Sequence, residues 1–134
     1  MNIQQRELTL GTYEVRVNGP LTTHLGEQLG RNFQDLFVRG VERVVVNLAD
    51  APFMDGPGLA ALLTGYKLFR GYGRSFQLAN LQDQPQLVLQ VTGFNRIFDL
   101  VNPVVEAEMV EWTRPAWSGY RMAAPATALV DMAA

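Results

Sequence analysis

The 134-residue sequence contains no cysteine, only one histidine and only one lysine. Without cysteine, the chain cannot form disulfides, thiolate nucleophiles or cysteine-ligated metal sites. His24 lies in the first turn of a predicted helix with no second histidine to share a metal, so we expect a solvated helix residue. The two serines, Ser75 and Ser118, fit no Ser-His-Asp arrangement, and Lys67 follows no glycine-rich phosphate loop. We therefore expect no metal, no cofactor and no enzymatic activity.

An excess of positive charge and a long apolar run are also absent. The formal net charge is -2, whereas nucleic-acid binding requires clustered positive charge, so we expect no nucleic-acid partner. No stretch approaches the roughly 18 apolar residues that span a bilayer. Residues 1–15 lack the basic start and apolar run of a signal peptide. We therefore expect a cytoplasmic protein that does not insert into a membrane.

Hydrophobic residues make up 48% of the chain and charged residues 18%, a balance that predicts one globular domain with a single core. Apolar and polar residues alternate at 12–18, as in a half-buried strand, whereas apolar residues at 25–36 recur at helical spacing. The same patterns predict strands at residues 3–10, 12–18, 43–48, 75–81 and 98–101. The predicted helices are residues 22–38, 58–72 and 85–92.

The predicted order of elements is β-β-α-β-α-β-α-β. Gly11 lies between the first two strands and predicts a tight antiparallel hairpin. The later strands alternate with helices, which predicts parallel pairing through right-handed crossovers. The sequence therefore predicts an α/β fold in which helices pack on a mixed, mostly parallel sheet.

The composition changes toward the C-terminal end of the sequence. Residues 103–112 fit either a strand or a helix, and we place the domain at residues 1–112. Residues 113–134, rich in alanine and proline, form a C-terminal extension. Burying a large apolar side chain yields about 1.5–3 kcal/mol, so we expect the aromatic residues of the segment 112–120 to dock on the domain or on a second copy. Docking on a second copy would give a homodimer. A disordered extension is the alternative. The aromatic residues are Trp112, Trp117 and Tyr120.

Basic residues recur three and four positions apart on the outer face of helix 58–72. They are Lys67, Arg70 and Arg74. A solvated helix face opposite the core explains this spacing, and a docking strip for an acidic partner surface is the functional alternative.

Residues 53–59, Phe-Met-Asp-Gly-Pro-Gly-Leu, connect the predicted buried strand 43–48 to a helix N-terminus. Such a terminus presents free backbone N–H groups, which Asp55 can cap, and Pro57 suits the first turn. Recognition residues are also commonly placed on loops between rigid elements. The segment therefore predicts a helix cap, a recognition loop, or both.

Residues 44–100 resemble the STAS domain, a family named for sulfate transporters and anti-sigma factor antagonists. Residues 53–59 are similar to the family's phenylalanine, apolar residue and Asp-Ser-Ser-Gly-Leu. Residues 78–81, Leu-Ala-Asn-Leu, and residues 92–94, Thr-Gly-Phe, are similar to the family's later motifs. The turn at residues 17–22 is similar to the glycine turn before the family's first helix. The resemblance covers residues 3–101.

The resemblance implies a regulatory domain that binds a protein partner, either an anti-sigma factor or a kinase-like ATPase. In such domains, phosphorylation of the serine after the aspartate adds about two negative charges and breaks the contact. Here Gly56 occupies that position and Pro57 that of the second serine, and neither carries a hydroxyl. Thr22 and Asn47 stand where family members often have aspartate. The resemblance therefore predicts the family's fold for this chain but not its phosphorylation switch, unless Thr22 or Thr64 replaces the acceptor serine.

We therefore expect a constitutive binder, a decoy or a scaffold in a bacterial signalling pathway that regulates transcription. The alternative is a STAS-type accessory subunit of an ABC lipid-transport system, which would bind the ATPase subunit. An enzyme is the least supported class. The expected partner surface comprises Pro20, Leu21, Thr22, Met54, Asp55, Gly56, Pro57, Gly58 and Leu59.

Overall fold

Strands and helices alternate along the chain in the predicted order, which confirms the α/β fold. The structure, a computed structural model, describes residues 1–101. The segment 103–112 and the extension 113–134, with the three aromatic residues, lie outside the described residues. The strands are β1 (Asn2–Thr9), β2 (Thr12–Asn18), β3 (Arg43–Asp50), β4 (Ser75–Ala79) and β5 (Asp99–Val101). The helices are α1 (Thr23–Val38), α2 (Gly56–Arg70) and α3 (Asp83–Thr92), followed by a 3-10 turn at Phe94–Arg96.

The five strands form one sheet in which spatial order equals sequence order. β1 and β2 pair antiparallel, and β2 to β5 pair in parallel. Gly11, with a φ of 81°, makes the hairpin turn in a conformation that favours glycine. Its carbonyl accepts hydrogen bonds from the N–H groups of Glu42 and Arg43, both at 3.0 Å. The turn therefore also ties the hairpin to the start of β3.

The three helices pack on one side of the sheet, which we call the helix face. Right-handed crossovers that all advance in the same direction place every helix on the same side. Alternate residues of the strands and the apolar stripes of the helices form one buried core there. The core includes Val15, Val17, Val44, Val46, Phe76 and Leu78 from the strands and Leu29, Leu36, Leu62, Phe69 and Leu89 from the helices.

The opposite side of the sheet, which we call the open face, carries the alternating residues that point away from this core. Its central members are Glu14, Val45, Asn47, Gln77 and Ala79, all of them buried. The predicted alternation in β2 assigned Glu14 to a polar outer face. The structure buries this carboxylate, and hydrogen bonds from Arg6 and Asn47 offset the cost of burying it.

α1 and α2 approach each other closely because α2 has a glycine where they meet. A Cβ atom at Gly65 would lie 2.4 Å from the ring of Phe33 and 2.7 Å from that of Phe76. The Phe33 ring packs edge-on against Phe76, with the ring centroids 5.1 Å apart, an arrangement that aromatic pairs prefer. The missing side chain therefore lets both helices and β4 share one aromatic cluster.

Most elements begin or end one or two residues from the predicted positions, and β4 and α2 show why. The strand predicted at 75–81 ends at Ala79, because Asn80 has a φ of 60°, a left-handed conformation that asparagine tolerates and that breaks the extended chain. The helix predicted at 58–72 already begins at Gly56 and ends at Arg70. Within residues 1–101, no helix is both long enough and apolar enough to cross a membrane.

Candidate functional site

Two segments far apart in the sequence meet where β3 leads into α2. Leu21 and Met54 form a short parallel bridge. The N–H of Leu21 donates to the carbonyl of Phe53 at 2.8 Å, and the N–H of Asp55 donates to the carbonyl of Leu21 at 3.3 Å. The structure therefore brings together both segments of the predicted partner surface, 20–22 and 54–59.

Asp55 is the N-cap of α2, as its position predicts. One of its carboxylate oxygens, Oδ1, accepts a hydrogen bond from the N–H of Gly58 at 2.9 Å, and its carbonyl accepts from the N–H of Leu59 at 2.9 Å. Thr22 stands at the equivalent position before α1, but its side chain makes no capping bond. The start of α2 is thus fixed by a side chain and the start of α1 by backbone alone.

The first turn of α2 contains two glycines in opposite environments. A Cβ atom at Gly56 would have no heavy atom within 4 Å, and Gly56 is exposed. A Cβ atom at Gly58 would lie 2.0 Å from the carbonyl oxygen of Leu21. Position 56 therefore accepts any side chain that faces solvent, whereas position 58 must remain glycine for the two segments to meet.

The predicted surface residues divide into a buried layer and an exposed layer. Leu21, Met54, Gly58 and Leu59 are buried. Gly58 allows the backbones to meet, and the side chains of the other three hold the segments together. Gly56 and Pro57 are exposed, and Pro20, Thr22 and Asp55 are partly exposed.

Phe53 belongs to the exposed layer although it was not among the predicted surface residues. Its side chain is 45% exposed. A large aromatic residue directly before the Met-Asp-Gly-Pro turn is the signal that could have identified it, because buried anchors at interfaces are often aromatic.

A glutamine of α3 holds the loop from the side opposite Leu21. The N–H of Met54 donates to Oε1 of Gln84 at 2.8 Å, and Nε2 of Gln84 donates to the carbonyl of Met54 at 3.0 Å. The side-chain amide thus satisfies both backbone groups of Met54 that face away from Leu21. The sequence carries no signal for this contact, because 30 positions separate the two residues.

A buried polar network lies on the open face below this loop. Nδ2 of Asn47 donates to Oε2 of Glu14 at 2.8 Å, and Oδ1 of Asn47 accepts from Nδ2 of Asn80 at 3.1 Å and from the N–H of Ala49 at 3.0 Å. Arg6 pairs with the other oxygen of Glu14 at 3.0 Å. Asn47 therefore connects β2, β3 and the turn after β4 through one amide.

The predicted basic stripe is only partly available to a partner. Arg74 donates to the carbonyl of Phe37 at 2.8 Å, and its guanidinium lies 4.2 Å from the centroid of the Phe37 ring. It therefore stabilises the end of α1. Lys67 and Arg70 are exposed, and Arg70 lies over the ring of Tyr66 at 5.5 Å.

Three other residues singled out in the sequence are all at least partly exposed. His24 is exposed, and its Nε2 lies 3.1 Å from the side-chain amide nitrogen of Gln28. Thr64 is exposed on α2, and its hydroxyl donates to the carbonyl of Ala60 at 2.9 Å. Thr22 is partly exposed beside the loop.

Comparisons with known proteins agree on one family. A family model described as the STAS domain matches residues 2–107. The chain is 28% identical over 116 residues to an anti-sigma F factor antagonist of Paenibacillus polymyxa, covering 82% of this chain and 99% of that protein.

Solved structures share the fold at low sequence identity. A putative anti-sigma factor antagonist from Thermotoga maritima aligns with a TM-score of 0.74 and 18% identity, covering 84% of this chain and 95% of that chain. The unphosphorylated form of the anti-sigma factor antagonist SpoIIAA aligns with a TM-score of 0.72 and 20% identity, covering 83% and 96%. The phosphorylated form of SpoIIAA, described as a Bacillus cell fate determinant, aligns with a TM-score of 0.67 and 22% identity, covering 84% and 99%.

Proposed function

The chain belongs to the STAS domain family, and we propose that it is a non-enzymatic, protein-binding regulatory module of the anti-sigma factor antagonist type whose binding is not switched at the start of α2. The observation that carries this proposal is Gly56. It follows the Asp55 cap directly, it is exposed, and it has no hydroxyl that a kinase could modify.

The exposed layer around Gly56 is suited to contact a protein. Phe53 offers an apolar side chain, and Pro57 offers a rigid one in the first turn of α2. The positive end of the helix dipole lies beneath them and favours an acidic group of the partner. The likeness to the Paenibacillus polymyxa antagonist supports an anti-sigma factor or a related kinase-like ATPase as that partner.

Two threonines were the candidate replacements for the missing acceptor. The hydroxyl of Thr64 donates to a carbonyl within its own helix, and Thr64 lies two turns beyond the exposed layer. Thr22 lies beside the layer, but it follows Leu21 and not an aspartate as the family's acceptor serine does. We infer that the surface stays in one charge state and that the module binds constitutively, as a scaffold or a decoy.

Gly56→Asp tests this surface, because it places a negative charge where the family's phosphoserine stands. We expect binding of the partner to weaken at least about tenfold, since like charge and a desolvated carboxylate both oppose the contact. We expect an unchanged melting temperature, because a side chain at 56 meets nothing and an acidic residue suits a helix N-terminus. Affinity capture from the source cell, followed by titration of the captured protein, measures both quantities.

Gln34→Glu is the matched control, since it adds the same charge at an exposed position of α1 far along the helix from the loop. It should bind like the parent. Equal affinity of Gly56→Asp and the parent would remove position 56 from the partner surface. Capture of the ATPase subunit of an ABC transporter would favour the accessory-subunit alternative over the anti-sigma factor.

A further inference from the structure

The outer face of α2 near its C-terminal end carries positive charge that no acidic residue of the helix balances. Residues 56–82 contain three basic residues and no acidic one, although the whole chain has 13 acidic and 11 basic residues. Two of the three, Lys67 and Arg70, are exposed, and residues three positions apart in a helix lie on the same side. Within residues 1–101, neither side chain makes a hydrogen bond or an ion pair. Both cations are therefore available to an external anion.

Aromatic rings hold this charge in place. The Arg70 guanidinium lies over the ring of Tyr66 at 5.5 Å, and Tyr66 packs edge-on against Phe98, with the ring centroids 5.4 Å apart. Tyr72, just beyond the helix, is 70% exposed and packs edge-on against Phe37, with the centroids 4.9 Å apart. A guanidinium that is already ordered loses less conformational entropy when it binds a carboxylate. The surface is therefore preorganised for an anionic group.

The helix dipole explains only part of this arrangement. The last turn of a helix favours basic residues, because its free carbonyl groups carry partial negative charge. The dipole does not account for the lack of acidic residues through the whole of α2 and β4, nor for an exposed tyrosine beside the charges. Arginine and tyrosine are both enriched at protein interfaces. The combination is thus typical of a contact surface.

We propose that Tyr66, Lys67, Arg70 and Tyr72, which we call the α2 basic surface, bind an acidic segment of another protein. Two free cations match a pair of carboxylates on one turn of a helix or on a short loop. The arginine can bind one carboxylate through two parallel hydrogen bonds. The α2 basic surface is distinct from the exposed layer around Gly56, because Lys67 lies three turns further along α2, roughly 16 Å at about 1.5 Å per residue.

Other polyanions suit the α2 basic surface less well than a protein does. Specific binding of nucleic acid neutralises several phosphates, and segments that bind anionic lipids have about 4–8 basic residues. This surface has two free cations, on a chain whose net charge is -2. An acidic segment of a protein presents few charges and keeps them away from the acidic remainder of the domain. The number of charges therefore favours a protein partner.

NMR titration of the isotopically labelled full chain tests the proposal with a synthetic peptide in which glutamate and alanine alternate. We expect saturable shifts of the amide signals of residues 63–74, and weaker binding as salt is added, because salt screens exposed charges. Lys67→Gln/Arg70→Gln should lower the affinity for the peptide at least about fivefold. Arg31→Glu is the matched control, since it changes the net charge by the same amount at an exposed position of α1. It should bind the peptide like the parent.

Several results would overturn the proposal. Equal binding of a peptide with glutamine in place of glutamate would show that charge is not recognised. Equal affinity of the double variant and the parent, or shifts centred outside residues 63–74, would remove the α2 basic surface as the binding site. Vesicles of phosphatidylcholine and phosphatidylserine, and a DNA duplex, are titrated in parallel. Binding of either one that depends on Lys67 and Arg70, without binding of the peptide, would assign the surface to a membrane or to nucleic acid instead.

Discussion

The stability of the buried network depends on the side-chain nitrogen of Asn47, which an aspartate would lack. Its amide donates to the Glu14 carboxylate and accepts from two groups on the other side. The family resemblance places an aspartate at this position in many members. In this chain the neighbouring strand carries Glu14, so a second carboxylate here would face the first within hydrogen-bond distance. The amide is therefore the group that suits this pair of strands.

Asn47→Asp should destabilise the domain by about 3 kcal/mol, because it removes the donor to a buried carboxylate and adds a like charge. Urea unfolding measures the change. The double variant Glu14→Gln/Asn47→Asp restores one donor and one acceptor, so we expect it to recover at least about 1 kcal/mol relative to Asn47→Asp. Additive losses in the double variant would show that the pair does not interact.

Sequence reasoning at the residue scale succeeded where the interaction is local. The capping role of Asp55 follows from its place directly before a helix, and the structure shows the bond to Gly58. Glu14 and Gln84 could not be assigned in this way. Their partners lie on other strands and helices, so only the assembled sheet reveals that one is buried and that the other holds Met54.

Gly65 determines how closely α1 and α2 pack. Gly65→Ala should destabilise the domain by about 1–3 kcal/mol, since the added methyl group overlaps Phe33 and Phe76 and forces the helices apart. Gly30→Ala on α1 is the control, because a Cβ atom there meets nothing and alanine stabilises a helix by about 0.5–1 kcal/mol relative to glycine. Chemical denaturation of both variants compares them. A neutral Gly65→Ala variant would mean that the aromatic cluster repacks without cost.

Gln84 links α3 to the candidate partner loop. Gln84→Ala removes both hydrogen bonds to the backbone of Met54, and each such bond contributes about 0.5–1.5 kcal/mol. We expect the Met54 amide proton to exchange at least about fivefold faster, with little change in the amides of β3. Amide exchange followed by NMR provides the measurement. Gln86→Ala, at an exposed position of the same helix, should leave the rate unchanged, and equal rates in both variants would contradict the role of Gln84.

Element boundaries were harder to predict than the elements themselves. The alternation in 75–81 continues through Asn80 in the sequence, but this residue turns left-handed so that its amide reaches Asn47. The helix was predicted from residue 58, whereas α2 begins at Gly56, directly after the Asp55 cap. In both places a side-chain hydrogen bond sets the boundary of the element. Such a bond cannot be predicted from the spacing of hydrophobic residues.

At the scale of the whole molecule, the order of elements and the mixed sheet could be predicted from the sequence. Each strand carries a strong apolar pattern, and short βα connections leave few topologies once crossovers are right-handed. The open face could not be predicted in the same way. Its central positions hold glutamate, asparagine and glutamine beside one valine and one alanine, a composition that resembles a solvated surface until the sheet is assembled.

The identity between spatial order and sequence order in the sheet has a consequence for biosynthesis. As the chain is made from its N-terminus, at roughly 5–20 residues per second, each newly made strand from β2 to β5 pairs with the strand completed just before it. No strand has to be inserted between two that are already paired. No earlier strand stays unpaired until a strand distant in the sequence has been made. The sheet can therefore grow by addition at a single edge in step with translation.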